Sequence, residues 1–391
     1  MSKKSLPEQF RRNTAVALIA CLLVLLWLPA LDYFFGLDHS PQPTENRALA
    51  KFPTRPGSLA EVHDFPAGLE NYFRDNFGFR NRLIRWERRW KHDLFKESAS
   101  PDVLAGQNGW LYFSGSYMVE HFEGLKKFSP EELQNWQALL EKRRDWLARR
   151  SIKYLFVIPP DKHSIYPEFL PEWLAQRGTP GKLDQFLAHM QAHSTVAVLD
   201  LRPALRDAGK TGVTYLQNDS HWNTYGALVA YQALISALIK QVPDLHEPLP
   251  LTAFKLQPLH KLGGDLVRML GELNPPKESN AIALIPRPPL SEITTSNAPE
   301  RLRKKWLPGT EPILTRYDEA PGKAIVFRDS FAVAWYPLLG YHFHEVLYIW
   351  QYEWNTPFLE REKPTVVIDE MLERMFYFSN PLVLLQKDGL P

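Results

Sequence analysis

Five short apolar runs, separated by stretches of helical periodicity, constrain this chain more than any other feature. They occupy residues 154–158, 196–200, 324–327, 344–350 and 365–369. A strand that is apolar at consecutive positions is buried on both faces, so helices must cover both sides of its sheet. The intervening segments supply them. Ser129-Pro130-Glu131-Glu132 starts a helix, with Ser as N-cap, Pro at the first helical position and Glu at the third. Further helices are predicted near 181–193 and from 224 to about 241. The pattern predicts an α/β domain with a mainly parallel sheet. Sites in such sheets lie at the carboxyl ends of the strands, so the residues just after each run are the ones to inspect.

With 391 residues, 45% of them hydrophobic, the chain can bury a full core. A net charge of +2 argues against a dedicated nucleic-acid binder, which needs a concentrated basic face. The single cysteine, Cys21, excludes an internal disulfide framework and a Cys-rich metal site. Residues 13–31 carry no charge, and Tyr33, Phe34 and Phe35 extend the apolar stretch past Asp32. Such a run spans a bilayer core of roughly 30 Å at about 1.5 Å per residue. Lys3, Lys4, Arg11 and Arg12 precede it, which predicts a cytoplasmic N-terminus and an exported remainder. A cleaved signal peptide is the rival reading, but the run is long for one and no small-x-small site follows it cleanly. The expected organisation is a tail (1–12), a transmembrane anchor (13–35), a Pro-rich stalk with a juxtamembrane helical segment (36–97), and a catalytic domain (98–391). In the helical segment, Phe65, Leu69, Tyr72 and Phe73 recur at helical spacing, and Arg80 to Lys91 read as a solvated basic face.

Two motifs can carry chemistry. Asn218-Asp219-Ser220-His221-Trp222-Asn223 precedes the helix from Thr224, and Arg328-Asp329-Ser330-Phe331 follows the run 324–327. A carboxylate two residues from an imidazole can face the same cavity, fix its tautomer and stabilise the imidazolium. A serine at a strand-to-helix turn is exposed beside backbone N–H groups that can hold an oxyanion. Together these are the parts of nucleophilic catalysis: Ser330 attacks, His221 takes its proton and Asp219 orients His221. Singly, a serine after a strand is more often a helix N-cap, and the Asp-x-His motif reads equally as capping and packing of the helix start.

Lys162, in Pro159-Pro160-Asp161-Lys162-His163, falls on the same rim, as do Trp222, Asn223, Arg328 and Trp335. These five are the candidate substrate-binding residues. Trp350 and Trp354 lie near them, and aromatic faces can stack on sugar rings. His342 and His344 lack a third ligand at local spacing, so no metal is expected. Gly263-Gly264-Asp265 reads as a turn into a helix, and Arg301 to Lys305 as a solvated loop.

Asp219-Ser220-His221-Trp222-Asn223 with Gly226-Ala227, and Phe327-Arg328-Asp329-Ser330-Phe331 some 110 residues later, resemble the SGNH hydrolase-like domain of the alginate O-acetylation protein family (AlgJ/AlgX-like). Residues 75–80, 106–112, 160–167 and 264–270 add weaker matches, so the likeness covers roughly 45–375. The resemblance implies a three-layer α/β/α domain in which the Asp-x-His pair precedes the nucleophile. It implies a periplasmic, inner-membrane protein that transfers acetyl groups to hydroxyls of an exported polysaccharide. A membrane-bound O-acyltransferase partner would supply the acetyl groups, and no cofactor is implied. It carries over Ser330 as nucleophile, His221 as general base and acid, and Asp219 as orienting carboxylate. The Ser330 backbone N–H and a second donor would hold the oxyanion. An esterase with the same triad and a non-enzymatic export component stay open as alternatives.

Overall fold

A computed structural model of the chain describes residues 8–37, 50–57, 59–80, 82–83, 100–174, 180–271, 275–297 and 310–390. The chain divides into two compact units: 1–100 with 268–273, and 101–267 with 274–391.

In the first unit, helix α1 (Glu8–Phe35) contains the whole uncharged run. Gly36, with φ +59°, ends it in the left-handed conformation that favours glycine. Helix α2 (Leu59–Asn76) follows. Asp75 Oδ2 accepts from the Ala50 N–H at 2.9 Å, and Asn76 Nδ2 returns a bond to the Ala50 carbonyl. Among the described residues, no helix is long and apolar enough to cross a membrane. Several side chains of the 13–35 segment lie outside the described residues, as do all the basic positions from Arg85 to Lys91 and the loop Arg301 to Lys305.

Among the described residues, the second unit holds eleven strands, in chain order β1 (Val103–Ala105), β2 (Leu111–Phe113), β3 (Lys153–Ile158), β4 (Val198–Asp200), β5 (Phe254–Pro258), β6 (Ile282–Pro286), β7 (Thr295–Asn297), β8 (Ile313–Arg316), β9 (Lys323–Phe327), β10 (Glu345–Ile349) and β11 (Val366–Glu370). Its main helices are α3 (Pro130–Ala148), α4 (Lys182–His193), α5 (Arg202–Gly209), α6 (Thr224–Ile239), α7 (Thr356–Glu362) and α8 (Pro381–Asp388). The main sheet runs β4-β3-β11-β9-β10-β8-β7. β4, β3, β11, β9 and β10 run parallel to one another, as the five apolar runs predict.

β8 pairs antiparallel with β10, and β7 antiparallel with β8. The sheet is therefore mixed: parallel through its centre, as expected, and antiparallel at one edge. Helices need not cover an edge strand on both faces, so β7 is exposed along its length and lacks the apolar signature of the centre.

Because side chains alternate along a strand, the parallel strands feed two cores. Leu155, Val157, Val326, Val366 and Ile368 pack with Leu228, Tyr231, Leu234 and Ile235 of α6 on one face. Phe156, Ile158, Ile325, Phe327 and Val367 pack with Trp136, Leu139 and Leu140 of α3 and Phe186 of α4 on the other. This is the three-layer α/β/α arrangement. Arg143 of α3, itself buried, ties it together: it donates to Asp369 of β11 at 2.7 Å and to both carboxylate oxygens of Asp388 on α8 at 2.8 and 2.9 Å.

Candidate active site

The strand β9 delivers Ser330 to the carboxyl edge of the sheet. Arg328 N–H donates to the Ile349 carbonyl, continuing the pairing with β10 for one residue. Asp329 then fixes the turn. Its N–H donates to Glu370 Oε2, its Oδ1 accepts from Phe331 N–H, and its Oδ2 accepts from Tyr352 Oη–H and Leu372 N–H, all within 3.0 Å. Ser330 opens a 3₁₀ helix, Phe331–Trp335, but its hydroxyl makes no capping bond there. The Oγ lies instead 2.7 Å from His221 Nε2. The capping role open to Ser330 in the sequence is thus not the one its hydroxyl plays.

His221 comes from a tight loop closed by the bridge between Tyr215 and Trp222 and by Leu216 N–H donating to the His221 carbonyl. Asp219 Oδ1 lies 2.6 Å from His221 Nδ1. One imidazole therefore bridges a carboxylate and a hydroxyl contributed by segments 109 residues apart.

Three residues absent from the sequence candidates hold this loop. Lys261 Nζ donates to Asp219 Oδ2 at 2.9 Å. Asp265 accepts from the N–H and hydroxyl of Ser220. Glu278 accepts from the backbone N–H groups of Gln217 and Asn218. The Gly-Gly-Asp turn is the one sequence signal for this support. A Cβ on Gly264 would sit 2.4 Å from the Asn218 carbonyl oxygen and from Asp219 Cβ, so only glycine lets the turn close on the loop.

Burial pushes the Asp219 carboxyl up, but the hydrogen bond from His221 and the charges of His221 and Lys261 outweigh it and hold the group well below the usual carboxylate range. Asp219, His221 and Asp265 lie close enough together to offer three ligand atoms to a cation. Their oxygens already accept from Lys261, from His221 and from Ser220, so the cluster is occupied by its own hydrogen bonds.

A cavity of about 400 Å³ opens beside Ser330 and His221. Trp222 and Asn223 line it. Both are buried and internally bonded: Trp222 Nε1–H donates to the Phe331 carbonyl, and Asn223 caps α6. The other three candidates do not line it. Lys162 is buried and donates to the carbonyls of Leu111, Leu216 and Gln217, so it braces the loop from behind. Trp335 is wholly buried, its indole N–H donating to the Ala227 carbonyl. Arg328 is buried with its guanidinium 4.2 Å from the Trp350 ring centre, where it packs and donates to the Asp329 carbonyl. These three expectations are corrected: each long side chain finds its partners inside the protein. Trp354 likewise donates to Asp369 in the core, and His342 Nε2 pairs with the Tyr231 hydroxyl. A separate cavity of about 210 Å³ is lined by His121, His163, Arg206 and Glu373 among others.

Residues 103–307 match the family described as the SGNH hydrolase-like domain of acetyltransferase AlgX. That span contains Asp219 and His221 and ends before Ser330, whose place in the constellation rests on geometry. A Pseudomonas syringae pv. tomato protein named "probable alginate O-acetylase AlgJ" is 28% identical over 207 residues, 52% of this chain and 50% of that protein. The protein of the same name from Pseudomonas aeruginosa is 30% identical over 211 residues, 53% and 50% respectively. The chain spans about half the length of these curated relatives. Among solved structures, Bacillus cereus PatB1 superposes with a TM-score of 0.52 at 14% identity, covering 71% of this chain and 98% of that one. That likeness speaks for the fold alone. With a three-layer sheet, an Asp-x-His loop at its carboxyl edge and a match over more than half its length, the chain belongs to the family of the SGNH hydrolase-like domain of acetyltransferase AlgX.

Proposed function

We propose that the chain is a membrane-anchored periplasmic O-acetyltransferase that acts on an exported polysaccharide through Ser330, His221 and Asp219. The observation that carries the reading is the His221 imidazole, 2.7 Å from Ser330 Oγ and 2.6 Å from Asp219 Oδ1. In the first step Ser330 Oγ attacks the acetyl carbonyl of a donor while His221 Nε2 takes the hydroxyl proton. The bond to the donor's leaving oxygen then breaks, and His221 returns the proton to it. In the second step a sugar hydroxyl attacks the acetyl-serine, and its proton passes through His221 back to Ser330. Asp219, acceptor-only when ionised, holds Nδ1–H and stabilises the imidazolium in both steps.

The acetyl donor in this reading is a membrane-bound O-acyltransferase, and the acceptor is a polysaccharide. The alginate-acetylating names of the relatives support that assignment. The uncharged run 13–31, preceded by Lys3, Lys4, Arg11 and Arg12, supports anchoring in the bacterial inner membrane with a cytoplasmic N-terminus. Residues 13–35 would be the anchor, 36–97 the stalk and 98–391 the catalytic domain.

The test is acetyl transfer from an activated acetyl ester to oligosaccharides by the full chain in detergent, beside Ser330→Ala and His221→Ala. Acetylated oligosaccharide that vanishes in both variants supports the transferase. Triad-dependent free acetate alone makes the protein an esterase. Activity that survives both substitutions refutes the assignment of the residues.

A further inference from the structure

The cavity beside Ser330 is built for hydrocarbon. Leu216, Leu259, Ala281, Ile282, Val333 and Ala334 supply most of its wall, with the rings of Trp222 and Phe331. The polar side chains in that wall have little left to offer. Both Asn223 Nδ2 hydrogens go to the carbonyls of Val213 and Asn280, Thr224 Oγ1–H goes to the Ile282 carbonyl, and Trp222 Nε1–H to that of Phe331. Outside the catalytic trio, only Lys261 at the rim keeps donor hydrogens. A sugar ring placed here would give up its hydrogen bonds to water without replacing them, which is costly. An alkyl chain would lose nothing. Size points the same way. An acetyl group has three heavy atoms and fills at most ~90 Å³ if each is counted at about one water's 30 Å³ share of liquid volume. The cavity measures about 400 Å³.

Resting on the reading of Ser330 as the nucleophile, we propose that this cavity is an acyl-chain pocket, so that the protein accepts acyl donors of four to six carbons as well as acetyl. The chemistry is unchanged. Ser330 Oγ bonds the acyl carbon, the ester C–O bond breaks, His221 carries the proton to the leaving oxygen, and water or an acceptor hydroxyl releases the chain. The acceptor sugar then approaches from outside the cavity.

The experiment compares p-nitrophenyl acetate, butanoate and hexanoate with the full chain in detergent, its Ser330→Ala variant and its Val333→Trp variant. Val333 is 43% exposed, so a larger ring there narrows the mouth without invading the core. The expected result is a rise in kcat/KM of about fourfold per methylene from acetate to butanoate. In Val333→Trp the butanoate-to-acetate ratio falls at least tenfold. A parent that cleaves acetate in a Ser330-dependent way but butanoate tenfold more slowly overturns the acyl pocket and leaves the enzyme reading intact. So does a Val333→Trp ratio within twofold of the parent's. Cleavage that persists in Ser330→Ala, or is absent for every ester, overturns the enzyme reading and the pocket together.

Discussion

Lys261 Nζ sits 2.9 Å from Asp219 Oδ2, the carboxylate oxygen that His221 does not use. The carboxylate is thereby divided between two partners: Oδ1 faces the imidazole that the proposed mechanism charges, and Oδ2 faces the lysine ammonium. The lysine keeps Asp219 ionised and stops it rotating away from His221.

Replacing Lys261 by Met is expected to lower kcat/KM for an acetyl ester about tenfold, with Lys261→Arg recovering most of the loss, because the pair orients the group that orients the base. The lysine side chain is 40% exposed, so the loss of stability is expected to be only about 0.5 kcal/mol and smaller at high salt. Asp219 titrates below its unfolded value of 3.8, so its contribution is complete above that pH and fades as pH falls below it. Urea unfolding at pH 7 and pH 3 checks this: a larger effect at pH 3 would contradict the pairing.

Asp219→Asn preserves shape but presents an amide where Nδ1–H needs an anion. Activity is expected to fall roughly 10⁴-fold in kcat, through the wrong tautomer and an unstabilised imidazolium. Steady-state kinetics decide it. A fall of less than tenfold would remove Asp219 from the mechanism.

His163 predicts the acid limb of stability. Burial first, then the charges of Arg374 and Lys162, push its imidazole down to about 3. Between its ordinary 6.5 and that value, the unfolded chain binds a proton that the folded one refuses. Stability therefore rises with pH across this window, by up to about 1.4 kcal/mol per unit from this one residue. His163→Leu is expected to flatten the slope of unfolding free energy between pH 5 and 6 by that amount. Parallel slopes for parent and variant would show that the buried ring does not stay neutral.

Arg143→Met is expected to cost roughly 3–5 kcal/mol, since it strands Asp369 and Asp388 as buried carboxylates. Adding Asp388→Leu should recover part of that loss, because the pair couples directly. Denaturant melts of the single and double variants measure the coupling, and additive losses would refute it.

The parallel centre of the sheet was legible in the chain because β3, β9, β10 and β11 are buried on both faces and read as unbroken apolar runs. β7 and β8 were not: three and four residues long, they are too short to show such a run, and β7 at the edge is exposed throughout. The Asp219–His221 pair and Ser330 were legible through residue type and position at strand ends. Their supports were not, beyond the Gly-Gly-Asp turn: Lys261, Asp265 at the start of a short helix, and Glu278 are joined to the motif across sequence gaps of 42 to 61 residues.

Local periodicity and residue chemistry are properties of neighbouring positions, so the sequence by itself determined the layered α/β fold and named the candidate reacting groups. Partnership between distant side chains depends on packing. Only the tertiary structure decided that the Ser330 hydroxyl faces His221 instead of capping a helix, and that Lys162, Arg328 and Trp335 meet their hydrogen-bonding and ring partners inside the protein. A buried polar group must be satisfied, and which group satisfies it is settled only once the chain has closed around it.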